Sequence, residues 1–164
     1  MPTLQATYLR AAHTFRAVLD RVGAADLVRP VPSCPGWTVS DVVTHVLEHH
    51  EHVLGARLAG DVTGDLMATY AAAIPDDPAL AATAPYDTLE LTLHAWDVAR
   101  ALEADLRLGE DQLTFLEVLA READDTLYAE EGFARLEGDA ADPAGLDRQG
   151  LALLPFGRRE DATA

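Results

Sequence analysis

Three residues have the types and spacing of a metal-ligand set. His45 lies in one predicted helix, and Glu90 and His94 lie one turn apart in another. On an ideal helix, residues four apart are separated by about 40° around the axis and roughly 6 Å along it, so both side chains can reach one ion. Two imidazoles and one carboxylate are the ligands of an open catalytic zinc site, which keeps a position for water or substrate. The set predicts a metal centre if the two helices face each other.

Neighbouring polar residues allow other interpretations of this ligand set. Asp97 follows His94 at the same edge of the helix. Its carboxylate is suited to accept a proton from a ligating imidazole or from a bound water. His45 and His49 share one helix face and allow a rival, weaker site within that helix. A glutamate and a histidine four residues apart are also an ordinary surface pair worth roughly a few tenths of a kcal/mol.

The remaining histidines and the single cysteine have less specific interpretations. We interpret His50 and His52 as a solvated polar flank, and His13 as packed or facing solvent. Cys34 precedes a predicted helix by four residues, and a helix N-terminus can lower the pKa of a thiol. We favour a plainer role for Cys34, as a small loop residue that packs under Trp37, because no histidine stands beside it in the sequence.

The composition of the chain limits the classes of partner that it is expected to bind. The chain has 164 residues, which suits one domain, and a formal net charge of −16 with all 12 basic residues arginine. Such a surface repels phosphate backbones and anionic lipid, so we expect neither nucleic acid nor membrane as a partner. One cysteine excludes an internal disulfide framework. Without a secretory signal or a long apolar run, a cytoplasmic location is expected.

Four long segments have apolar residues at helical spacing: residues 3–22, 38–58, 87–104 and 109–129. Thr38 and Asp41 resemble a capping box at the start of the second segment, and Asp87 is a candidate cap for the third. Apolar residues on two stripes of residues 38–58 allow a homodimer without requiring one.

Residues 61–86 and the end of the chain are predicted to be less regular. A short helix fits 65–74, and Pro75, Pro78 and Pro85 then break regularity. The tail from about residue 130 is rich in turn residues, with a helical patch near Leu151 to Leu154. The sequence therefore predicts an all-α four-helix bundle over residues 1–164, with an irregular crossover between the second and third main helices.

Three segments resemble one known family. They are Cys34 to His45 (CPGWTVSDVVTH), Leu89 to Ala101 (LELTLHAWDVARA) and Leu146 to Asp161 (LDRQGLALLPFGRRED). Together they are similar to the N-terminal metal-binding domain of mycothiol-dependent maleylpyruvate isomerases, within the DinB/YfiT-like superfamily of four-helix metalloproteins. The resemblance implies that His45, Glu90 and His94 hold a divalent metal, usually zinc, between the helices.

The chain departs from that family in two respects. Residues 61–86 are shorter than the corresponding stretch, and the isomerase has a second, C-terminal domain that this sequence is expected to lack. We expect a metal-dependent transferase or isomerase in which a low-molecular-weight thiol attacks a small electrophile. The alternatives are a non-catalytic or stress-related metal-binding bundle and a metal-free bundle. Fe(II), nickel or copper would also suit the ligands.

Overall fold

The computed structural model describes residues 2–55, 65–122, 133 and 135–159. Those residues are helical or irregular, and their only bridge between extended segments joins Pro30 to Thr38. The all-α class is therefore confirmed. The chain divides into two compact units, Met1–Leu106 and Arg107–Ala164. The single domain over residues 1–164 stays a prediction.

The first unit contains four helices: α1 (Leu4–Leu19), α2 (Val39–Gly55), α3 (Leu66–Ala73) and α4 (Pro78–Ala101). The largest interface joins α1 to α4, and both α1 and α2 pack against α3 and α4. Helix α4 therefore takes part in the largest interface of the unit and packs against both α1 and α2. Most of its side chains beyond Tyr86 are buried, so any polar residue there must find its partner inside the protein.

Helix α2 begins at the predicted capping box. The backbone N–H of Thr38 donates to Asp41 Oδ2 at 2.8 Å, and the Asp41 N–H donates to Thr38 Oγ1 at 3.3 Å. Two N–H groups that the helix leaves unpaired are thus satisfied reciprocally. This local signal sets the first residue of α2 and therefore the position of His45 along the helix.

The predicted start of the third main helix was wrong. Helix α4 begins at Pro78, and its N-cap is Asp77, whose side chain accepts from the backbone N–H groups of the second and third helical residues. Pro85 lies inside the helix, although a proline there removes a backbone hydrogen bond. Burial of residues 87–99 on all sides outweighs that cost. Asp87 is consequently a buried residue within α4 and not its cap.

The crossover contains the predicted short helix, which the structure places at Leu66–Ala73. Asp65 caps it by accepting from the backbone N–H of Ala68 at 3.1 Å. The end of the predicted second helix and the start of the crossover fall in residues 56–64, outside the described residues.

The second unit contains α5 (Glu110–Glu122) and α6 (Arg148–Leu153), followed by a 3₁₀ turn at Leu154–Phe156. Helix α5 packs against α6, and the Arg148 guanidinium joins them by contacting Glu110 and Glu117. The helical patch predicted near Leu151 is confirmed. Residues 123–129 of the predicted fourth helix lie outside the described residues. No helix of the described ranges is long and apolar enough to cross a membrane.

A cluster of aromatic rings and one imidazole fills the space between α1, α2 and α3. Tyr8 stacks on Tyr70 with ring centroids 4.5 Å apart, and the His50 ring lies 5.2 Å from Tyr70. His50 is fully buried, so its assignment to a solvated flank was wrong. Its Nδ1 donates to the Val46 carbonyl at 2.8 Å. Among the described residues, neither Tyr8 OH nor His50 Nε2 meets a hydrogen-bond partner.

The two stacked tyrosines should respond oppositely to loss of their hydroxyl groups. We expect Tyr8→Phe to leave the free energy of unfolding unchanged or raise it by about 1 kcal/mol, because a buried hydroxyl without a partner is costly. Tyr70→Phe should lower it by about 1–3 kcal/mol, because that hydroxyl donates to the Asp87 carboxylate. Urea unfolding at neutral pH measures the free energy of unfolding of both variants. Equal losses would contradict the finding that, within the described part of the chain, the Tyr70 hydroxyl has a hydrogen-bond partner and the Tyr8 hydroxyl has none.

Stability should depend on pH through His50. Burial lowers the pKa of His50, with the hydrogen bond to the Val46 carbonyl opposing that change. The unfolded chain takes up the proton near the ordinary value of about 6.5, whereas the folded chain takes it up only at lower pH. The stability that neutral His50 contributes is therefore complete above about pH 6.5 and is lost as the pH falls below it.

Urea unfolding between pH 8 and pH 5 checks this expectation. Relative to wild type, His50→Gln should lose less stability as the solution is acidified, because its side chain does not titrate. His13→Gln is the control, since His13 is exposed on α1. A stability difference between wild type and His50→Gln that stays constant with pH would count against a neutral buried imidazole.

Candidate metal centre

Helices α2 and α4 bring the predicted ligand set together. His45 Nε2 lies 2.9 Å from Glu90 Oε2, and His94 Nε2 lies 3.2 Å from the same oxygen. The two imidazole rings meet edge to face with centroids 5.5 Å apart. One ligand atom from each residue lies within 4.8 Å of the others. Residues 45 positions apart in the chain thus converge on one point.

The site is buried on the α4 side and open on the α2 side. Glu90 and His94 are each 5% exposed, whereas the His45 side chain is 40% exposed. Burial would raise the pKa of Glu90, but hydrogen bonds from His45 and His94 outweigh burial and hold it well below its usual value. The Glu90 carboxylate is therefore ionised and can serve as an anionic ligand.

Tyr86 is a further partner of Glu90 that the sequence analysis missed. Its hydroxyl hydrogen-bonds to Glu90, and burial together with the nearby Glu90 charge raises the pKa of Tyr86. The phenol therefore keeps its proton and donates. The spacing of four residues, from Tyr86 to Glu90, was the available signal, since such residues are neighbours on a helix face.

Asp97 holds the ring of His94 from the opposite side. Its Oδ2 lies 2.9 Å from His94 Nδ1. Burial would lower the pKa of His94, but hydrogen bonds with Asp97, Cys34 and Glu90 raise it well above its usual value. His94 therefore lies between two carboxylates, with Nδ1 near Asp97 and Nε2 near Glu90, and Nε2 faces the same oxygen as His45 Nε2.

The donor set fits a divalent ion. Bonds of about 2.0–2.1 Å in tetrahedral geometry place ligand atoms roughly 3.3 Å apart. The separations from Glu90 Oε2 to the two imidazole nitrogens are 2.9 and 3.2 Å, so small side-chain movements would complete the coordination. Two imidazoles and one carboxylate also match the known chemistry of open zinc sites.

The loop before α2 lies against Asp97, which corrects our interpretation of Cys34. Ser33 Oγ donates to Asp97 Oδ1 at 2.5 Å, and Cys34 Sγ lies 3.5 Å from Asp97 Oδ2. Cys34 therefore contacts two polar residues of α4 and is not merely a packing residue under Trp37. Only the tertiary fold brings the loop and α4 together, so sequence proximity to a histidine was the wrong criterion.

A tight turn positions that loop. The backbone N–H of Trp37 donates to the Cys34 carbonyl at 3.0 Å, and Gly36 has a φ of +84°. Proline at the second position and a glycine with positive φ at the third are the requirements of a type II turn, and Pro35 and Gly36 supply them. The turn directs Cys34 towards α4 and Trp37 towards α2.

Trp37 lines the open side of the site. Its ring lies 5.1 Å from the His45 ring and 6.5 Å from the His94 ring, centroid to centroid. The side chain is partly exposed. These contacts, together with the exposure of the ring, place Trp37 at the edge of the site and not in the core.

A second histidine–carboxylate pair lies one turn away along both helices. His49 Nε2 lies 2.7 Å from Asp87 Oδ1, and the Tyr70 hydroxyl donates to Asp87 Oδ2. The hydrogen bond to Asp87 raises the pKa of His49. His49 is therefore already hydrogen-bonded to Asp87. This contact disfavours the rival metal site that His45 and His49 would form within α2. His52 is exposed, as expected of a solvated flank.

The helical bundle and the ligand set on its facing helices define the class of protein as a DinB-like bundle. Residues 8–112 match the family described as the mycothiol maleylpyruvate isomerase N-terminal domain, and the chain belongs to that family. The matched range includes α2, α3 and α4 in full, so it contains the three predicted ligands and Asp97. No curated protein and no solved structure is significantly similar to the chain.

Proposed function

We propose that this protein is a zinc-dependent transferase or isomerase that uses a low-molecular-weight thiol to act on a small electrophile. The observation that carries the proposal is the convergence of His45 Nε2, Glu90 Oε2 and His94 Nε2. The description of the family names mycothiol and maleylpyruvate, which supports a low-molecular-weight thiol and a small electrophile as the molecules to test.

A metal held by three protein ligands would keep a position for water or substrate, which favours catalysis over a purely structural ion. Within the described residues, the group around His45 contributes three ligands. Asp97 lies on the other nitrogen of the His94 ring, and His49 is bonded to Asp87. Asp97 and His49, the two candidates for a fourth protein ligand, are therefore engaged elsewhere. A thiol could take the fourth position beside His45, Glu90 and His94.

The residues around the site have separate roles. A divalent ion held there would lower the pKa of a bound thiol and supply it as thiolate. Asp97 accepts the proton of His94 Nδ1, which would direct the Nε2 lone pair to a bound ion. Glu90 is the one carboxylate among the three ligands, so a divalent ion held there would leave the ligand set with a net positive charge that attracts thiolate. Trp37 lies against the His45 ring on the exposed side of the site.

The surface charge supports the same class of partner. A net charge of −16 disfavours nucleic acid and anionic lipid and is compatible with small molecules that reach a locally positive site. We also propose a cytoplasmic location, where low-molecular-weight thiols are kept reduced.

The test compares the metal-loaded protein with its variants in a thiol-consumption assay. Mycothiol and maleylpyruvate are mixed with wild type, with His45→Ala and with His52→Ala, an exposed position on the same helix. We expect faster thiol addition or isomerisation with wild type and His52→Ala only. Equal rates for wild type and His45→Ala would count against the enzyme. Zinc bound without any acceleration would support a non-catalytic metal-binding bundle.

Asp97→Asn should weaken zinc binding about 10–100-fold, because groups that orient a ligating imidazole typically contribute that much. Asparagine can keep the shape but does not stabilise the proton on His94 Nδ1 as a carboxylate does. Competition with a chromophoric chelator measures the affinity. Asp76→Asn, at an exposed position before α4, is the matched control and should bind like wild type. An unchanged affinity in Asp97→Asn would exclude this role.

A further inference from the structure

We propose a second metal position, formed by Cys34, His94 and Asp97, that takes a soft, thiophilic cation such as Cd(II) or Cu(I). One ligand atom from each of these residues lies within 4.8 Å of the others. The three residues come from two parts of the fold, the loop before α2 and the second half of α4. The inference concerns residues beyond the ligand set of the proposed function and does not require the proposed reaction.

The distances between the donors are compatible with one bound cation. With the bond lengths known for zinc, about 2.3 Å to sulfur and about 2.1 Å to oxygen, tetrahedral coordination separates the two donors by roughly 3.6 Å. Cys34 Sγ and Asp97 Oδ2 are 3.5 Å apart, and Asp97 Oδ2 is 2.9 Å from His94 Nδ1. Ser33 holds the other Asp97 oxygen, so Oδ2 stays directed towards Cys34 and His94.

The chemistry of the donors sets the selectivity. A thiolate favours soft ions such as Cu(I), whereas imidazole and carboxylate favour borderline and harder ions. Binding at Cys34 breaks the S–H bond, forms a metal–sulfur bond and releases the proton to solvent. Cys34 is partly exposed while His94 and Asp97 are buried, so an ion would enter from the loop side.

His94 belongs to both ligand sets but can serve only one ion at a time. A neutral imidazole has a lone pair on one nitrogen and a proton on the other. With the proton on Nδ1, donated to Asp97, Nε2 is available to the ion held with Glu90. With the proton on Nε2, which lies 3.2 Å from Glu90 Oε2, Nδ1 is available to the ion held with Cys34. The two positions therefore compete, and a thiophilic ion displaces zinc.

Titration of the metal-free protein with Cd(II) tests the second position. Thiolate coordination to cadmium gives a charge-transfer absorption in the ultraviolet, which reports on Cys34, the single cysteine of the chain. We expect this absorption to saturate at one equivalent in wild type, to be absent in Cys34→Ser and to persist in His45→Ala. Asp97→Asn should weaken the apparent affinity at least about 10-fold, while Asp76→Asn should not.

Two outcomes would overturn the inference. Cadmium that binds wild type without the thiolate absorption would show that Cys34 is not a ligand. An Asp97→Asn titration identical to that of wild type would show a solitary thiol and no built site. Neither outcome affects the proposed function, whose failure is seen separately, as zinc binding or thiol consumption that does not change in His45→Ala.

A displacement experiment tests the sharing of His94. Adding Cd(II) to the zinc-loaded protein should release zinc one for one, detected with a zinc-sensitive dye. In Cys34→Ser, release should require at least about 10-fold more cadmium, since cadmium then lacks its thiolate ligand and has only the ligand set that zinc also uses. Cadmium binding with the thiolate absorption and full retention of zinc would exclude competition through one imidazole.

Discussion

Glu90→Gln is expected to abolish stoichiometric zinc binding and the thermal stabilisation that zinc gives. Glu90 Oε2 lies within 3.2 Å of a ring nitrogen of each imidazole, and Glu90 supplies the negative charge of the ligand set. Glutamine keeps the size of the side chain but offers a neutral oxygen and a competing N–H₂ donor. We expect the zinc affinity to fall by more than about 100-fold, beyond the usual effect of an orienting group.

Thermal unfolding gives a readout that is independent of activity. A ligand at 100 times its dissociation constant stabilises the folded state by about 2.7 kcal/mol, which raises the melting temperature by roughly 5–10 °C for a chain of this size. Wild type should show this shift on addition of zinc and Glu90→Gln should not. Glu51→Gln, an exposed change on α2, should shift like wild type. A full shift in Glu90→Gln would refute the ligand set.

Asp87→Ala is expected to cause the largest loss of stability, about 3–5 kcal/mol. The substitution removes the carboxylate to which two buried or half-buried polar groups are hydrogen-bonded. Asp87 is 1% exposed. Its two oxygens separately accept from His49 and from Tyr70. Alanine would leave a buried hydroxyl and a half-buried imidazole without acceptors, and would open a small cavity between α2, α3 and α4.

Chemical unfolding with matched variants separates these contributions. Asp87→Asn keeps the shape and one acceptor oxygen, so its loss should be smaller than that of alanine. Asp76→Ala, at an exposed position before α4, should change stability by less than about 0.5 kcal/mol. A loss for Asp87→Ala that is no larger than that of Asp76→Ala would mean that the His49–Asp87–Tyr70 contacts contribute little.

Local sequence signals predicted the helices whose ends are set by local hydrogen bonds. The capping box of Thr38 and Asp41 marked the start of α2 because each side chain bonds the other's backbone within four residues. The short helix α3 was likewise predicted by Asp65 and the apolar residues after it. The three predicted ligands were found because their spacing places them on helix faces, although their binding of a metal is a proposal.

The two features that were predicted wrongly have different causes. Pro85 and the prolines before it predicted an irregular segment, yet α4 begins at Pro78 because Asp77 caps it locally, a signal that the sequence analysis missed. Burial of residues 87–99 then keeps the helix continuous past Pro85. His50 has the sequence context of a solvated flank, yet it is packed against Tyr8 and Tyr70, which lie on other helices.

The sequence by itself determined the helical class, the family and the residues able to ligate a metal, because periodicity, capping and ligand type are properties of short segments. Only the tertiary structure decided that the Cys34 loop lies on Asp97 and that Asp87 joins His49 to Tyr70. The physical reason is that these contacts join residues 17 to 63 positions apart. Their geometry depends on how the apolar faces of α1 to α4 pack, which no short stretch of sequence specifies.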